Sequence, residues 1–143
     1  MKKGYFEISD EEIAYKTLTF EDANKEYQLD YEIMESMDNG YSVLVFEGDT
    51  VIDGDFSNWA ARFKKTDHSF LLFTGNLTVK GDIKLKGDLL FAVLGNLVCD
   101  YFYTNWGSYS LVVGNATIKY AVSVNYNDAY SDVLGKTTVP FYF

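Results

Sequence analysis

The chain has 143 residues with a net charge of −9, and 48% of its residues are hydrophobic, enough for the core of one domain. This acidic balance disfavours binding to nucleic-acid phosphates, and no stretch has the roughly 18–20 apolar residues of a membrane span. Cys99 is the single cysteine and no signal-peptide pattern follows Met1, so we expect a cytoplasmic protein with no nucleic-acid or membrane contact.

Residues 1–40 carry helix signals and are predicted to form a helical N-terminal cap. The sequence SDEE fits a capping box and predicts a short helix near 9–15. The sequence TFED begins a second helix near 20–37, because apolar residues three or four apart share one helical face. A strand over 13–20 is the alternative for that stretch, since its residues alternate. The residues on the helical face are Phe20, Ala23, Tyr27, Tyr31, Met34 and Met37.

After residue 40 the chain repeats a glycine-centred pattern. The repeated glycines are Gly48, Gly75, Gly95, Gly114 and Gly135, at intervals of 27, 20, 19 and 21 residues. Residues two positions before each glycine and two and four positions after it are mostly apolar. Because alternate residues of a strand face the same side, these columns are predicted to point into one core. The column four residues after the glycines is Ile52, Val79, Cys99, Ile118 and Val139.

Repeats of this length bury their apolar faces only when stacked, which is typical of a solenoid. We predict one domain over 1–143, mainly β, with a right-handed parallel β-solenoid of about five coils of about 20 residues over 41–143. Glycine lets the chain bend at each turn, and the Asn and Asp side chains after it are expected to stack as a ladder. The longer first interval predicts a helical insertion at about 56–66 that projects from the first coil. A meandering antiparallel sandwich is the alternative fold.

The string GNLTVKGDIKLKGDLL, followed downstream by GNLV and GNATI, resembles the glycine-rich coils of bacterial β-solenoid proteins such as the bactofilins. It is also similar to small solenoid proteins that are encoded beside bacterial polymorphic toxins and proposed as their immunity partners. The resemblance covers about residues 43–143. It implies a binding or structural role, and the likeness to bactofilins implies self-assembly. The long helical N-terminus, the uneven coils and the many tyrosines depart from the bactofilin pattern.

Patterns that carry catalysis or ligand binding do not fit this sequence. The glycines of GNLTVKGDIKLKGD lack the Gly-Lys-Ser/Thr ending of a phosphate-binding loop, and the aspartates of GDTVIDGD lack the spacing of a calcium loop. Cys99 falls in an apolar column and is expected to be an inert core residue. His68, the one histidine, is expected on a surface loop. We therefore predict a protein that is not an enzyme and that uses no cofactor or metal.

The last third of the chain is rich in aromatic residues that lie beside acidic ones, as in DYFYTNWGSY and YNDAYSD. Consecutive residues of a strand alternate sides, so some of these rings are expected to face solvent, where Tyr and Trp favour protein binding. The alternatives are that the rings fill a wide core and that the terminal FYF covers the open end of the stack. The predicted partner-binding residues are Tyr101, Tyr103, Trp106, Tyr109, Tyr126 and Asp128.

These features together predict a non-enzymatic protein-binding module. The expected role is that of an immunity-type protein that neutralises a bacterial toxin domain by occlusion. A basic toxin domain is the expected partner, because acidic residues steer its approach and aromatic anchors supply affinity. A self-assembling, bactofilin-like structural solenoid is the alternative, with a homo-oligomer formed through the C-terminal coil.

Overall fold

A computed structural model describes residues 15–29, 41–62, 69–85, 90–104, 109–124 and 130–142, and the fold of these residues is mainly β. Their two helices are α1 (Phe20–Tyr27) and α2 (Phe56–Ala60). In chain order their strands are β1 (Lys16–Thr19), β2 (Ser42–Phe46), β3 (Thr50–Ile52), β4 (Ser69–Phe73), β5 (Leu77–Val79), β6 (Asp82–Leu85), β7 (Leu90–Val93), β8 (Leu97–Thr104), β9 (Tyr109–Val112), β10 (Ala116–Val124), β11 (Tyr130–Val133), β12 (Thr137–Thr138) and β13 (Phe141–Tyr142).

The strands form two sheets, and their pairing is parallel except at one edge. Sheet 1 has the order β1-β2-β4-β7-β9-β11, in which β1 alone runs antiparallel to its neighbour. Sheet 2 has the order β12-β10-β8-β5-β3, all parallel. The second half of β8 also pairs with β6, and the second half of β10 pairs with β13. Each repeat therefore contributes one strand to sheet 1 and one or two strands to sheet 2.

The observed registers match the columns read from the sequence. In sheet 1 the residues two positions before the glycines pair in succession, from Phe46 with Phe73 to Val112 with Val133. In sheet 2, Ile52 pairs with Val79, and Cys99 pairs with Ile118. The prediction of a mainly β fold with parallel strands is confirmed, and the antiparallel pairing of a meandering sandwich is not what these repeats show. A complete solenoid path stays a prediction.

The glycine turns are held together by backbone and side-chain hydrogen bonds between repeats. The Asn96 N–H donates to Asn76 Oδ1 at 2.8 Å, and the Asn115 N–H donates to Asn96 Oδ1 at 2.8 Å. Asp49 is the first rung of this ladder, since its Oδ1 accepts from the Asn76 N–H at 2.9 Å. Lys136 is the last rung, because its N–H donates to Asn115 Oδ1 at 2.9 Å and its own side chain has no acceptor. The predicted ladder is therefore present.

The glycines are needed for a reason other than the one expected. Gly48 alone among the five repeat glycines has a positive φ, of 82°. A Cβ placed on Gly75 would lie 2.5 Å from the carbonyl oxygen of Gly48, and one on Gly95 would lie 2.6 Å from that of Gly75. Close approach between successive turns, rather than backbone freedom, therefore excludes a side chain at the later positions.

The central strands of sheet 1, β2, β4, β7 and β9, are buried on both faces. The inner face of the sheet packs against sheet 2 in the main core, and its outer face packs against α1, where Phe20 and Ala23 are buried. The helix α1 is the described helical part of the N-terminal cap predicted over 1–40, and it packs on the outer face of sheet 1 beside β1 and β2, at the first repeat. Strands buried on both faces read as continuous apolar runs, as VLVF and FLLF do. The outer-face strand residues are Val43, Val45, Phe70, Leu72, Leu90, Ala92 and Leu111.

The N-terminal segment differs from the prediction in length and in type. The helix predicted near 20–37 begins at Phe20, where the Thr19 side chain accepts from the Asp22 N–H, but it ends at Tyr27. Gln28 ends it by adopting a left-handed conformation with φ 57°. The strand that was the alternative for 13–20 is present as β1. The helix predicted near 9–15 lies outside the described residues, apart from the non-helical Tyr15.

The helix of the insertion after the first repeat does not project into solvent as expected. Its helix α2 lies within the predicted range 56–66, and Phe56 and Trp59 are both buried in the main core. The Trp59 ring centroid lies 5.2 Å from that of Phe46, and the Phe56 centroid lies 5.0 Å from that of Phe91. The short helix thus closes the core beside the first repeat with aromatic side chains.

Candidate protein-binding surface

The second half of β8 presents two of the predicted tyrosines to solvent. Side chains along β8 alternate between the core and the outer face, with Phe102 and Thr104 buried. Tyr101 and Tyr103 are 45% and 37% exposed, so their rings stand on the outer face of sheet 2. Backbone pairing on both sides of β8 holds these rings on a rigid element.

A bulge in β10 adds a third tyrosine that the sequence prediction missed. The register between β10 and β8 shifts between Ile118 and Ala121, so the extra residue of β10 is turned outward. Tyr120 is 42% exposed, and its ring stacks on that of Tyr101 with centroids 5.1 Å apart. The available signal was the interval to the next glycine, which is longer after Gly114 than after Gly95.

Phe141 lies on this same face rather than over the end of the stack. The register places Phe141 opposite Ala121, which in turn pairs with Tyr101. The Phe141 side chain is 63% exposed. We define the aromatic face as the exposed side chains of Tyr101, Tyr103, Tyr120 and Phe141 on sheet 2.

The other predicted binding residues do not join the aromatic face in the part of the chain that the structure describes. Tyr109 is half-buried and packs in the cluster on the outer face of sheet 1. Trp106, Tyr126 and Asp128 lie outside the described residues, as does His68. Tyr101 and Tyr103 are therefore the two predicted residues that the structure brings together.

A groove separates α2 from the outer face of sheet 2. It has a volume of about 260 Å³, and Asp55, Asp82, Lys84 and Tyr103 are among the residues that line it. The Ser57 hydroxyl donates to the Lys84 carbonyl and so holds α2 beside β6. An adjoining recess of about 370 Å³ shares Asp82, Lys84 and Tyr103 with the groove. Together they form a shallow depression at the edge of the aromatic face.

A polar network ties the N-terminal elements to the turn after β2. Lys16 Nζ lies 2.9 Å from Glu26 Oε2 and 3.4 Å from Glu47 Oε2, and the Tyr27 hydroxyl donates to Glu47 Oε2 at 2.6 Å. Burial and the bond to Glu47 raise the pKa of Tyr27 to about 12. The bond from Lys16 lowers the pKa of Glu26, and the bond from Tyr27 lowers that of Glu47. These contacts join β1, α1 and β2, which is a structural role.

The described residues include no reactive cysteine, no cluster of metal ligands and no membrane-spanning helix. The Cys99 thiol is buried, and burial first, then the charges of Asp100 and Asp82, raises its pKa to about 12, so it is a poor nucleophile. In the described ranges no group of three or more His, Cys, Asp or Glu residues is placed to hold a metal ion. No helix in the described part of the chain is both long and apolar enough to cross a membrane.

No protein-family model, curated protein or solved structure matches this chain.

Proposed function

We propose that this chain is a right-handed parallel β-solenoid of about five coils of about 20 residues, with the N-terminal segment packed on one side. The support is the pairing of each repeat with the next in parallel, through both sheets and through the turns between them. At the turns, the Gly75 N–H donates to the Gly48 carbonyl at 3.1 Å, and the Gly95 N–H donates to the Gly75 carbonyl at 3.0 Å. Parallel crossover connections are almost always right-handed, which is the reason for the proposed hand.

The solenoid acts as a protein-binding module without catalytic activity. The observation that carries this proposal is the aromatic face, where Tyr101, Tyr103 and Tyr120 stand exposed on a hydrogen-bonded sheet. Rigid, exposed tyrosines bury a large area on binding and lose little side-chain entropy, so they are effective anchors. A parallel sheet pre-organises them and lowers the entropic cost of binding further.

The proposed partner is a basic bacterial toxin domain, which this protein neutralises by occlusion in the cytoplasm. Residues 1–40 contain eleven of the 21 acidic residues but four of the 12 basic ones, which is −7 of the net charge of −9. The negative electrostatic potential of this charge speeds the approach of a basic partner. The cytoplasm suits a chain whose one cysteine, Cys99, is an unpaired core residue.

The experiment tests whether the gene adjacent to this one encodes a basic protein that this chain binds and inhibits. The double variant Tyr101→Ala/Tyr103→Ala is expected to lose at least tenfold in affinity, because each ring anchors the interface by about 1 kcal/mol or more. Tyr15→Ala is the matched control, since it removes a tyrosine of similar exposure, 41%, at a distant position. Unchanged affinity and inhibition in the double variant would refute the proposal.

A self-assembling structural solenoid is the second candidate, and one observation favours it. In the described part of the last repeat, Leu134 is 51% exposed beside the open edge strand β11. The opposite edge of sheet 1 is covered by the antiparallel β1, which obstructs head-to-tail stacking. Sedimentation across protein concentration separates the candidates, because a filament grows with concentration and an occluding monomer does not.

A further inference from the structure

The groove beside α2 has the chemistry of a site for a cation. It brings together the carboxylates of Asp55 and Asp82 and the ring of Tyr103. The side chain of Asp82 is 29% exposed and Tyr103 is 37% exposed, so both are accessible from solvent. A positively charged group in this groove meets carboxylate oxygens and an aromatic ring at the same time, and both attract it.

Two lysines of the chain already make these two kinds of contact. Lys84 Nζ lies 3.9 Å from Asp82 Oδ2 in the groove, and its side chain is 61% exposed. Lys119 Nζ lies 5.3 Å from the ring centroid of Tyr120 on the neighbouring surface. An ion pair this exposed is weak, so another cation can replace Lys84 at Asp82 at little cost.

We infer that the groove receives a lysine or arginine side chain from an extended basic segment of the protein partner, which displaces Lys84 from Asp82. The inference rests on the proposed function and names the chemistry by which the partner docks beside the aromatic face. The adjoining recess extends the groove along Tyr101, Ala121 and Ser123, which leaves room for the residues that flank the cation. Arginine fits better than lysine, because its planar group stacks on a ring while it donates to a carboxylate.

The test titrates acetylated tetra-arginine amide into the full, ¹⁵N-labelled chain and follows the backbone amides by NMR. The amides of Ser57, Asp82 and Tyr103 are expected to shift together along one saturable curve. Acetylated tetra-glutamate amide is expected to shift none of them. Shifts by the arginine peptide that are confined to residues 1–40 would overturn the inference, because binding would then follow the bulk acidic charge.

Three single variants distinguish binding of the arginine peptide in the groove from non-specific attraction to the acidic chain. Asp82→Asn is expected to weaken binding of the arginine peptide about two- to fivefold, as for other exposed ion pairs. Lys84→Ala is expected to tighten it, because the internal competitor is gone. Asp53→Asn is the matched control: it removes the same charge from an exposed position just after β3 that does not line the groove, and is expected to leave binding unchanged.

Equal weakening by Asp53→Asn and Asp82→Asn, or weaker binding by Lys84→Ala, overturns the inference. These variants are exposed, and their spectra report directly whether the fold is kept. A failure of this inference can be told apart from a failure of the proposed function. If the wild-type chain inhibits the toxin domain through Tyr101 and Tyr103 while the peptide does not enter the groove, this inference fails and the proposed function stands.

Discussion

At the scale of single residues, each glycine turn must fit between its neighbours in the stack. Gly75, Gly95, Gly114 and Gly135 have ordinary φ values, yet a Cβ on any of them would lie 2.4–2.6 Å from an oxygen of the preceding turn. The side chain after each repeat glycine except Gly135 then supplies the amide or carboxylate oxygen that accepts a hydrogen bond from the next turn. The backbone freedom of glycine also predicts glycine at these four positions. It is not the reason that a larger residue is excluded there.

Backbone freedom and steric exclusion predict opposite changes in the free energy of unfolding for the substitution Gly95→Ala. Where only backbone freedom matters, replacing Gly by Ala at an ordinary φ stabilises a protein by about 0.4–1 kcal/mol. We expect destabilisation of about 1–3 kcal/mol, because the new Cβ overlaps the carbonyl of Gly75 and the turns must separate. Urea unfolding measures this change in stability, with a substitution at an exposed position, Thr117→Ala, as the control. A stabilised Gly95→Ala would contradict the steric explanation.

At the scale of elements, the packing of β1 and α1 against the parallel strands of sheet 1 depends on apolar burial and on the network around Lys16. The start of α1 follows from its capping sequence, but its end does not, because the apolar spacing continues beyond Tyr27. Local sequence also left β1 undecided between helix and strand. Pairing with β2 favours the strand, because β2 supplies hydrogen-bond partners for the backbone of β1. The pairing also places the ring centroid of Tyr15 5.5 Å from that of Phe46.

The Lys16 network predicts a pH dependence of this docking. The pKa values of Glu26 and Glu47 are lowered from 4.5 in the folded state, so their contribution is present above that pH and is lost as the pH falls through the folded values. Lys16→Met is therefore expected to lower the melting temperature at pH 7 and to have a smaller effect once the pH has fallen below 4.5 and both carboxylates have become protonated. Lys25→Met, on the same helix, is the control. A pH-independent effect of Lys16→Met would show that the network contributes no electrostatic stability.

At the scale of the whole molecule, the two ends of the stack differ in the residues that the structure describes. At the first repeat, β1 covers the edge of sheet 1, and Phe56 and Trp59 fill the core. At the last repeat the edge strands of sheet 2 are two residues each, with Pro140 between them. Short edge strands, proline and lysine are the features by which natural sheets avoid edge-to-edge pairing.

Lys136 is predicted to act as the terminator of the ladder. It occupies the position of Asn in the preceding turns, and its side chain offers a charge where they offer an acceptor. We expect the double variant Lys136→Asn/Pro140→Thr to self-associate at concentrations where the wild type does not, because it restores both an acceptor and an N–H. Sedimentation velocity measures this, with Lys119→Asn as the charge-matched control. Identical behaviour of the double variant and the wild type would remove Lys136 and Pro140 as terminators.

The repeat spacing by itself determined the parallel registers, the core columns and the ladder, because residues that recur once per turn become neighbours when the turns stack. It also identified Tyr101 and Tyr103, since alternation along one strand decides which side chains face out. Tertiary structure alone decided that α1 covers sheet 1, that Trp59 points into the core and that a bulge brings Tyr120 onto Tyr101. These features depend on contacts between segments far apart in the chain. A local sequence pattern does not specify which distant segment will pack against a given face of a sheet.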